Sequence, residues 1–283
     1  MVDTAIIGTG PAGISAALTL KALKKEILLF GDSQLSGKIR AAERIRNYPG
    51  LPDVTGQQMR QAFATQLDAM DIAVTDKTVT GIYHMGTHYG ILCNQELFEA
   101  KTIILATGVE AVKPIEGELE YVGRGVSYCA TCDGFLYKGK TIAVLCTTKD
   151  LEHEIKYLAD LADKVYLIPL YKDAAVYGEN IEILMEKPRR ITGNMKAETL
   201  EFAGREISVD GIFMLKQAVT PSVLLYGLEC QEGHITVDRR CRTNLPGCFA
   251  AGDCTGRPYQ YVKAAGEGNV AAHSVVEYLA DKG

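Results

Sequence analysis

Tryptophan is missing from the 283 residues, aromatic side chains make up only 7%, and the five histidines are scattered. His84, His88, His153, His234 and His273 read as surface or packing residues, and no metal site is expected. No apolar run reaches the roughly 18 residues that span a bilayer, which leaves no membrane helix to expect. Positive charge is also short. The 30 lysines and arginines face 35 aspartates and glutamates, and this net charge of −5 argues against nucleic acid or anionic lipid as the main partner. Met1-Val2-Asp3 leads straight into a strand-like stretch, so no cleaved signal peptide is expected and the chain reads as cytoplasmic. Glycine, by contrast, is plentiful at 28 residues. With 47% hydrophobic content, the chain can fill one large or two ordinary α/β cores rich in tight strand-to-helix turns.

Six of the eight cysteines (Cys93, Cys146, Cys230, Cys241, Cys248 and Cys254) have no partner at ligand spacing and read as buried structural thiols. Cys129 and Cys132 form Cys-Ala-Thr-Cys, and in a reducing compartment such a lone pair is more often redox-active than structural. Its leading thiol commonly has a lowered pKa and attacks disulfides as the thiolate. Asp133 follows directly, where a carboxyl group can pass a proton as the ring opens and closes. A static disulfide or half of a zinc site is the competing reading, weakened because no second pair exists. A dithiol takes up two electrons, and a bound flavin is the usual donor.

The chain opens with a strand, Thr4 to Ile7, the turn Gly8-Thr9-Gly10-Pro11-Ala12-Gly13, a helical pattern with Ile14, Ala17, Leu18 and Leu23 inward, and a second strand, Ile27 to Phe30. This βαβ order with GxGxxG is the dinucleotide-binding pattern: Gly8 makes the turn, Gly10 admits a pyrophosphate, and Gly13 lets helix and strand pack. The architecture recurs at Thr141 to Leu145, Leu151 to Ala162 and Val165 to Ile168 without the glycines, since Cys146, Thr148 and Leu151 stand at the matching spacing. A dinucleotide is expected to bind poorly there. A third stretch, Gly247 to Asp253, is a short strand running into a glycine turn, and Ala264 to Leu279 reads as a closing helix with Val270, Val275, Val276 and Leu279 on its apolar side. The fold expected is α/β with two Rossmann-like, three-layer βαβ domains. The first is discontinuous, residues 1–111 and 234–283, and the second, smaller and inserted, spans 112–233.

The ordered set Gly8 to Gly13, Asn47-Tyr48-Pro49-Gly50, Ala106-Thr107-Gly108, Gly123 to Gly134 around the Cys-x-x-Cys, and Ala250-Ala251-Gly252-Asp253 resembles the low-molecular-weight thioredoxin reductases along nearly the whole chain. That resemblance implies FAD in the first domain, a homodimer, and a redox disulfide on the inserted domain. It places Gly8, Gly10, Pro11, Ala12 and Gly13 on the FAD pyrophosphate, Asn47 near the flavin, Thr107 and Gly108 in the same pocket, Gly252 and Asp253 at the ribityl-phosphate region, and Gln260 by the ring. Asp32 is a ribose candidate in the loop Gly31-Asp32-Ser33 that also leads to Lys38, although charged loop residues are usually just solvated.

Two departures from the family pattern bear on the electron donor. NADPH-using members carry a glycine fingerprint in the second βαβ unit and a His-Arg-Arg stretch for the 2′-phosphate; here these read Cys146 to Leu151 and Pro169-Leu170-Tyr171. None of the latter three supplies the cationic, bidentate partner that a 2′-phosphate needs. Near the flavin the family's Arg-Gln-Ala reads Tyr259-Gln260-Tyr261, placing aromatic rings that read as flavin contacts or as surface residues. The chain is therefore similar to the ferredoxin-dependent flavin thioredoxin reductases. The resemblance implies electrons from reduced ferredoxin one at a time, Cys132 as the sulfur facing the flavin, Cys129 as the exposed nucleophile toward thioredoxin, and Asp133 as the proton carrier. A disulfide stacked on a flavin is not at the same time open to thioredoxin, so the inserted domain is expected to rotate about hinges near 112 and 233.

Arg239, Arg240 and Arg242 read first as a charged turn and second as a contact for acidic ferredoxin. Two other functions stay open from sequence: a flavin-dependent dithiol oxidase passing electrons to oxygen, and a non-catalytic flavin-binding sensor. A variant of the oxidoreductase reading holds a second flavin in the inserted domain.

Overall fold

The computed structural model describes residues 1–40, 42–93, 95–109, 114–176, 178–216 and 221–282, with only the backbone of Asp150. The chain divides into two compact units, Met1–Val109 with Thr220–Gly283, and Glu110–Val219. Among the described residues, no helix is long and apolar enough to cross a membrane.

The first unit opens with β1 (Val2–Ile7), α1 (Pro11–Ala22), β2 (Ile27–Phe30), α2 (Gly37–Arg40), α3 (Gly56–Ala69), β3 (Val74–Thr75), β4 (Gly81–His84), β5 (Tyr89–Cys93) and β6 (Glu96–Leu105). Buried on both faces, β1 reads as an apolar run and pairs in parallel with β2 (Ile7↔Phe30) and with β6 (Ile7↔Leu105). β4 and β5 continue from β6 as an antiparallel pair. Thr55 begins α3 with a capping box: its hydroxyl accepts the Gln58 N–H while the Gln58 side chain accepts that of Thr55.

The second unit holds β7 (Val126–Ser127), α4 (Ala130–Asp133), β8 (Thr141–Cys146), α5 (Glu152–Leu161), β9 (Lys164–Pro169), β10 (Ile181–Ile183), β11 (Arg190–Thr192), β12 (Thr199–Glu201), β13 (Glu206–Ser208) and β14 (Gly211–Leu215). Its main sheet is parallel, in the order β10-β9-β8-β14-β7, and β11, β12 and β13 form an antiparallel meander. The two units are thus Rossmann-like α/β layers built on the same plan.

The chain then returns to the first unit through α6 (Pro221–Leu224), β15 (Cys230–Gln231), β16 (His234–Ile235), β17 (Cys248–Ala250) and α7 (Tyr261–Lys282). β17 adds in parallel to β6, completing a seven-stranded sheet. The return falls at residue 220 rather than 234. Leu225 bridges Ile82, and Asn244 donates to the Gly227 carbonyl at 2.8 Å, so 221–233 packs with the first unit. The expected first boundary, at 111/112, lies outside the described residues.

Three expected burial assignments differ. Leu23 is exposed because it sits at the C-cap, past the inward face of α1. Val270 is exposed because α7 turns a small-residue face inward instead: Ala264, Gly268, Ala271, Ala272 and Val275 are buried, and a Cβ on Gly268 would lie 2.0 Å from the Ala12 carbonyl oxygen. Cys230 is exposed on the two-stranded β15–β16 hairpin, while the other five scattered cysteines are buried.

Candidate functional site

In the first unit the predicted cofactor residues converge at the carboxyl ends of parallel strands, where open α/β sheets bind ligands. Gly8 follows β1 with φ +122°, and a Cβ there would sit 2.3 Å from the Ala106 carbonyl oxygen, so the turn requires glycine. Gly13 is equally constrained, its virtual Cβ falling 1.9 Å from the Gly8 carbonyl oxygen. Gly10 differs. A Cβ on it would meet nothing within 4 Å among the described residues, and it caps α1 with no side-chain hydrogen bond to the first turn. Pro11 occupies the first turn of α1 and Ala12 is buried there. Open space before uncapped helix N–H groups is what a pyrophosphate requires.

Thr107 and Gly108 follow β6. Among the described residues, Thr107 Oγ1 is buried with no hydrogen-bonded partner beyond its approach to the Cys254 thiol. Gly252 and Asp253 follow β17, in a turn pinned from α7. The Lys263 ammonium donates to the carbonyls of Gly252 (2.8 Å) and Gly256 (2.9 Å) and to Thr255 Oγ1 (3.0 Å), while the Glu267 carboxylate accepts from Gly252 N–H (2.8 Å) and Thr255 Oγ1 (2.9 Å). Burial holds the Asp253 carboxyl above the usual aspartate range, against the pull of Lys38 and Lys263. Sequence reasoning missed Lys263 and Glu267, whose i,i+4 spacing was the available signal.

Asn47 Nδ2 donates to Gln260 Oε1 at 2.8 Å, joining two positions 213 residues apart. Tyr261 donates to the Lys38 carbonyl at 3.3 Å, and Lys38 Nζ to the Val109 carbonyl at 3.0 Å. Tyr259 is 2.6 Å from His234 Nε2, with Arg257 over its ring. Gly31 begins the loop after β2, at φ +148°. Asp32 is engaged within its own loop, accepting from Arg40 at 2.9 Å and from the Gln34 N–H at 2.7 Å, and Ser33 donates to Asp76. Arg240 and Arg242 both pair with Glu277, as a charged turn would. The glycines, the open helix end and the buried threonine together fit a dinucleotide.

In the second unit Cys129 and Cys132 form a disulfide. Cys129 is the N-cap of α4, and its sulfur accepts the Cys132 N–H at 3.2 Å. The exposed position expected for Cys129 is not seen: Cys129 is buried, and Cys132 lies on the outside of the turn. The capping geometry is the reason, since it tucks the first sulfur under the turn. Ser127 braces the ring, accepting the Cys129 N–H at 3.1 Å and donating to Asp133 Oδ2 at 2.6 Å. From α5, Glu154 accepts the Ala130 N–H, and burial pushes its carboxyl above the usual glutamate range. Burial also pushes the thiols of Cys93, Cys146 and Cys254 up to about 11 and those of Cys241 and Cys248 up to about 12, so none of these five is a thiolate at neutral pH.

After β8 and β9 the chain bonds to itself. Cys146 Sγ donates to the Thr148 carbonyl at 3.1 Å. Glu152 accepts from Ala175 N–H at 3.0 Å and from the Tyr171 hydroxyl at 2.9 Å, and these bonds, the Ala175 N–H foremost, hold its carboxyl below the usual range.

Comparison with known proteins agrees with this geometry. The family model described as pyridine nucleotide-disulphide oxidoreductase matches residues 2–147 and 171–268. A thioredoxin reductase of Helicobacter pylori is 36% identical over 99% of both chains. Among solved structures, a ferredoxin-flavin thioredoxin reductase from Clostridium acetobutylicum is 46% identical at TM-score 0.92, covering 99% of this chain and 98% of the other. A thioredoxin reductase from Gloeobacter violaceus is 26% identical at TM-score 0.80, covering 99% and 95%. With its glycine-turn cofactor cradle and its braced Cys129–Cys132 disulfide, the chain belongs to the pyridine nucleotide-disulphide oxidoreductase family, as a flavoprotein of the thioredoxin reductase type.

Proposed function

We propose that this protein is a cytoplasmic, homodimeric FAD enzyme that reduces thioredoxin through Cys129 and Cys132, drawing its electrons from reduced ferredoxin. The observation that carries the donor is the Glu152 carboxylate held beside Tyr171. Where a 2′-phosphate would need arginines, Tyr171 and Ala175 hold the charged Glu152 carboxylate, which repels an anion. Cys146 and Leu151 replace glycines at the phosphate turn. The choice of FAD over a mononucleotide rests on the open, uncapped end of α1 before Gly10, which suits a pyrophosphate.

Bound FAD would accept single electrons and deliver them as a pair to the disulfide. The protein's own groups do the rest. On reduction the Cys132 N–H beside the Cys129 sulfur favours its thiolate, and Cys129, buried in the oxidised turn, acts as the nucleophile toward thioredoxin disulfide once the turn opens to expose it. Cys132 closes on Cys129 in the second exchange step, releasing thioredoxin as the dithiol. Asp133, oriented by Ser127, takes and returns the thiol proton.

Single-cysteine variants test the assignment. Cys132→Ser is expected to trap a mixed disulfide between Cys129 and thioredoxin, visible as a mass adduct, whereas Cys129→Ser traps none. The opposite pattern would reverse the two roles, and no adduct with either variant would remove thioredoxin as substrate.

A further inference from the structure

Glu118 is a carboxylate with a wholly buried side chain, and Lys216, only 3% exposed at its side chain, places its ammonium 2.6 Å from Glu118 Oε1. The Tyr128 hydroxyl donates to the same oxygen, and the Ile115 N–H donates to Oε2 at 2.9 Å. The Lys216 ammonium also lies 5.5 Å from the centroid of the Tyr128 ring. Three chain segments meet here. Lys216 directly follows β14, Tyr128 directly follows β7, and these strands are parallel neighbours in the register Phe213↔Ser127. Burying two charges carries a heavy desolvation cost, so such a pair is poor evidence of stability and a better sign that a position is being specified.

The position specified is that of the dithiol turn. Tyr128 is bonded in the chain to Cys129, and Ser127 on its other side already holds the Cys129 N–H and Asp133. We propose that Glu118 is a positioning residue: through Tyr128 it keeps Cys129 at bonding geometry to Cys132 after the disulfide is opened, with Lys216 as the counter-charge that permits the carboxylate to be buried. This rests on the reading of Cys129–Cys132 as the working redox pair. A turn held in place loses little entropy when the ring closes, so loosening it disfavours the disulfide and shifts the equilibrium toward the dithiol.

The test equilibrates the full flavoprotein anaerobically with mixtures of reduced and oxidised dithiothreitol. Protein disulfide plus reduced dithiothreitol gives protein dithiol plus its cyclic disulfide, and two electrons and two protons move together. Thiol mass-tagging of the peptide containing Cys129 and Cys132 reads the constant. Tyr128→Phe removes one hydroxyl, and the neutral pair Glu118→Gln with Lys216→Met avoids leaving a buried charge unpaired. Both are expected to shift the constant toward the dithiol by about three- to tenfold, the scale of one lost hydrogen bond. Constants within about twofold of the parent, even with a lowered melting temperature, would reduce the cluster to scaffolding and overturn the proposal; twofold is well under the loss of one hydrogen bond. If the parent disulfide resists dithiothreitol altogether, the redox reading itself fails.

Discussion

At Glu154 a single carboxyl faces the backbone N–H that opens the disulfide turn, and burial raises its pKa above the ordinary glutamate value. The folded state therefore holds this proton more tightly than the unfolded chain does. The group's contribution to stability is fullest at low pH and is lost as pH rises from about 4.3 through the raised folded value. Glu154→Gln removes the ionisation, so the difference in melting temperature, variant minus parent, should be more positive at pH 7 than at pH 4. A pH-independent difference, measured by calorimetry at matched ionic strength, would contradict the shift. Residues of this kind were only partly legible in sequence. Asp133 stood beside the cysteines and declared itself, whereas Glu118 and Lys216, 98 positions apart, meet only once β7 and β14 are paired. The one hint was a lysine directly behind the apolar run Gly211–Leu215.

Among the elements, the turn from β1 to α1 separates two jobs that one motif performs. At Gly13 an added methyl would collide with the Gly8 carbonyl oxygen, while at Gly10 it would meet open space. Gly13→Ala is thus expected to destabilise the apoprotein by about 1–3 kcal/mol through overpacking. Gly10→Ala should leave its melting temperature nearly unchanged yet lower the ratio of bound flavin to chain. An undiminished flavin ratio for Gly10→Ala would show that the space before Gly10 has no role in cofactor binding. This element could be read from sequence because its contacts are local and its glycines punctuate a hydrophobic period. The inward face of α7 was misread at Val270 because the seat against α1 selects small residues, and periodicity weighted toward valine and leucine does not register alanine and glycine. The same blindness to packing set the second boundary at 233, since nothing local signals that Leu225 bridges a strand far back in the chain.

At the scale of the whole molecule, one architectural plan appears twice with opposite chemistry. The first copy keeps a glycine turn and an uncapped helix end, while the second sets Cys146, Glu152 and Tyr171 after the equivalent strands. The plan was visible in the sequence as a repeated strand–helix–strand pattern, and the missing glycines were visible too. What the sequence withheld was the Glu152–Tyr171–Ala175 contact, which sets a carboxylate beside the residues that replace the phosphate-binding arginines. The central claim, that such a molecule is fed by a one-electron protein donor rather than a nicotinamide, is tested most directly under anaerobic conditions. The oxidised holoenzyme is mixed separately with NADPH, NADH and reduced ferredoxin while flavin absorbance and the reduction of added thioredoxin are followed. Bleaching and thioredoxin reduction with ferredoxin alone is the expected result; rapid bleaching by NADPH or NADH would contradict it.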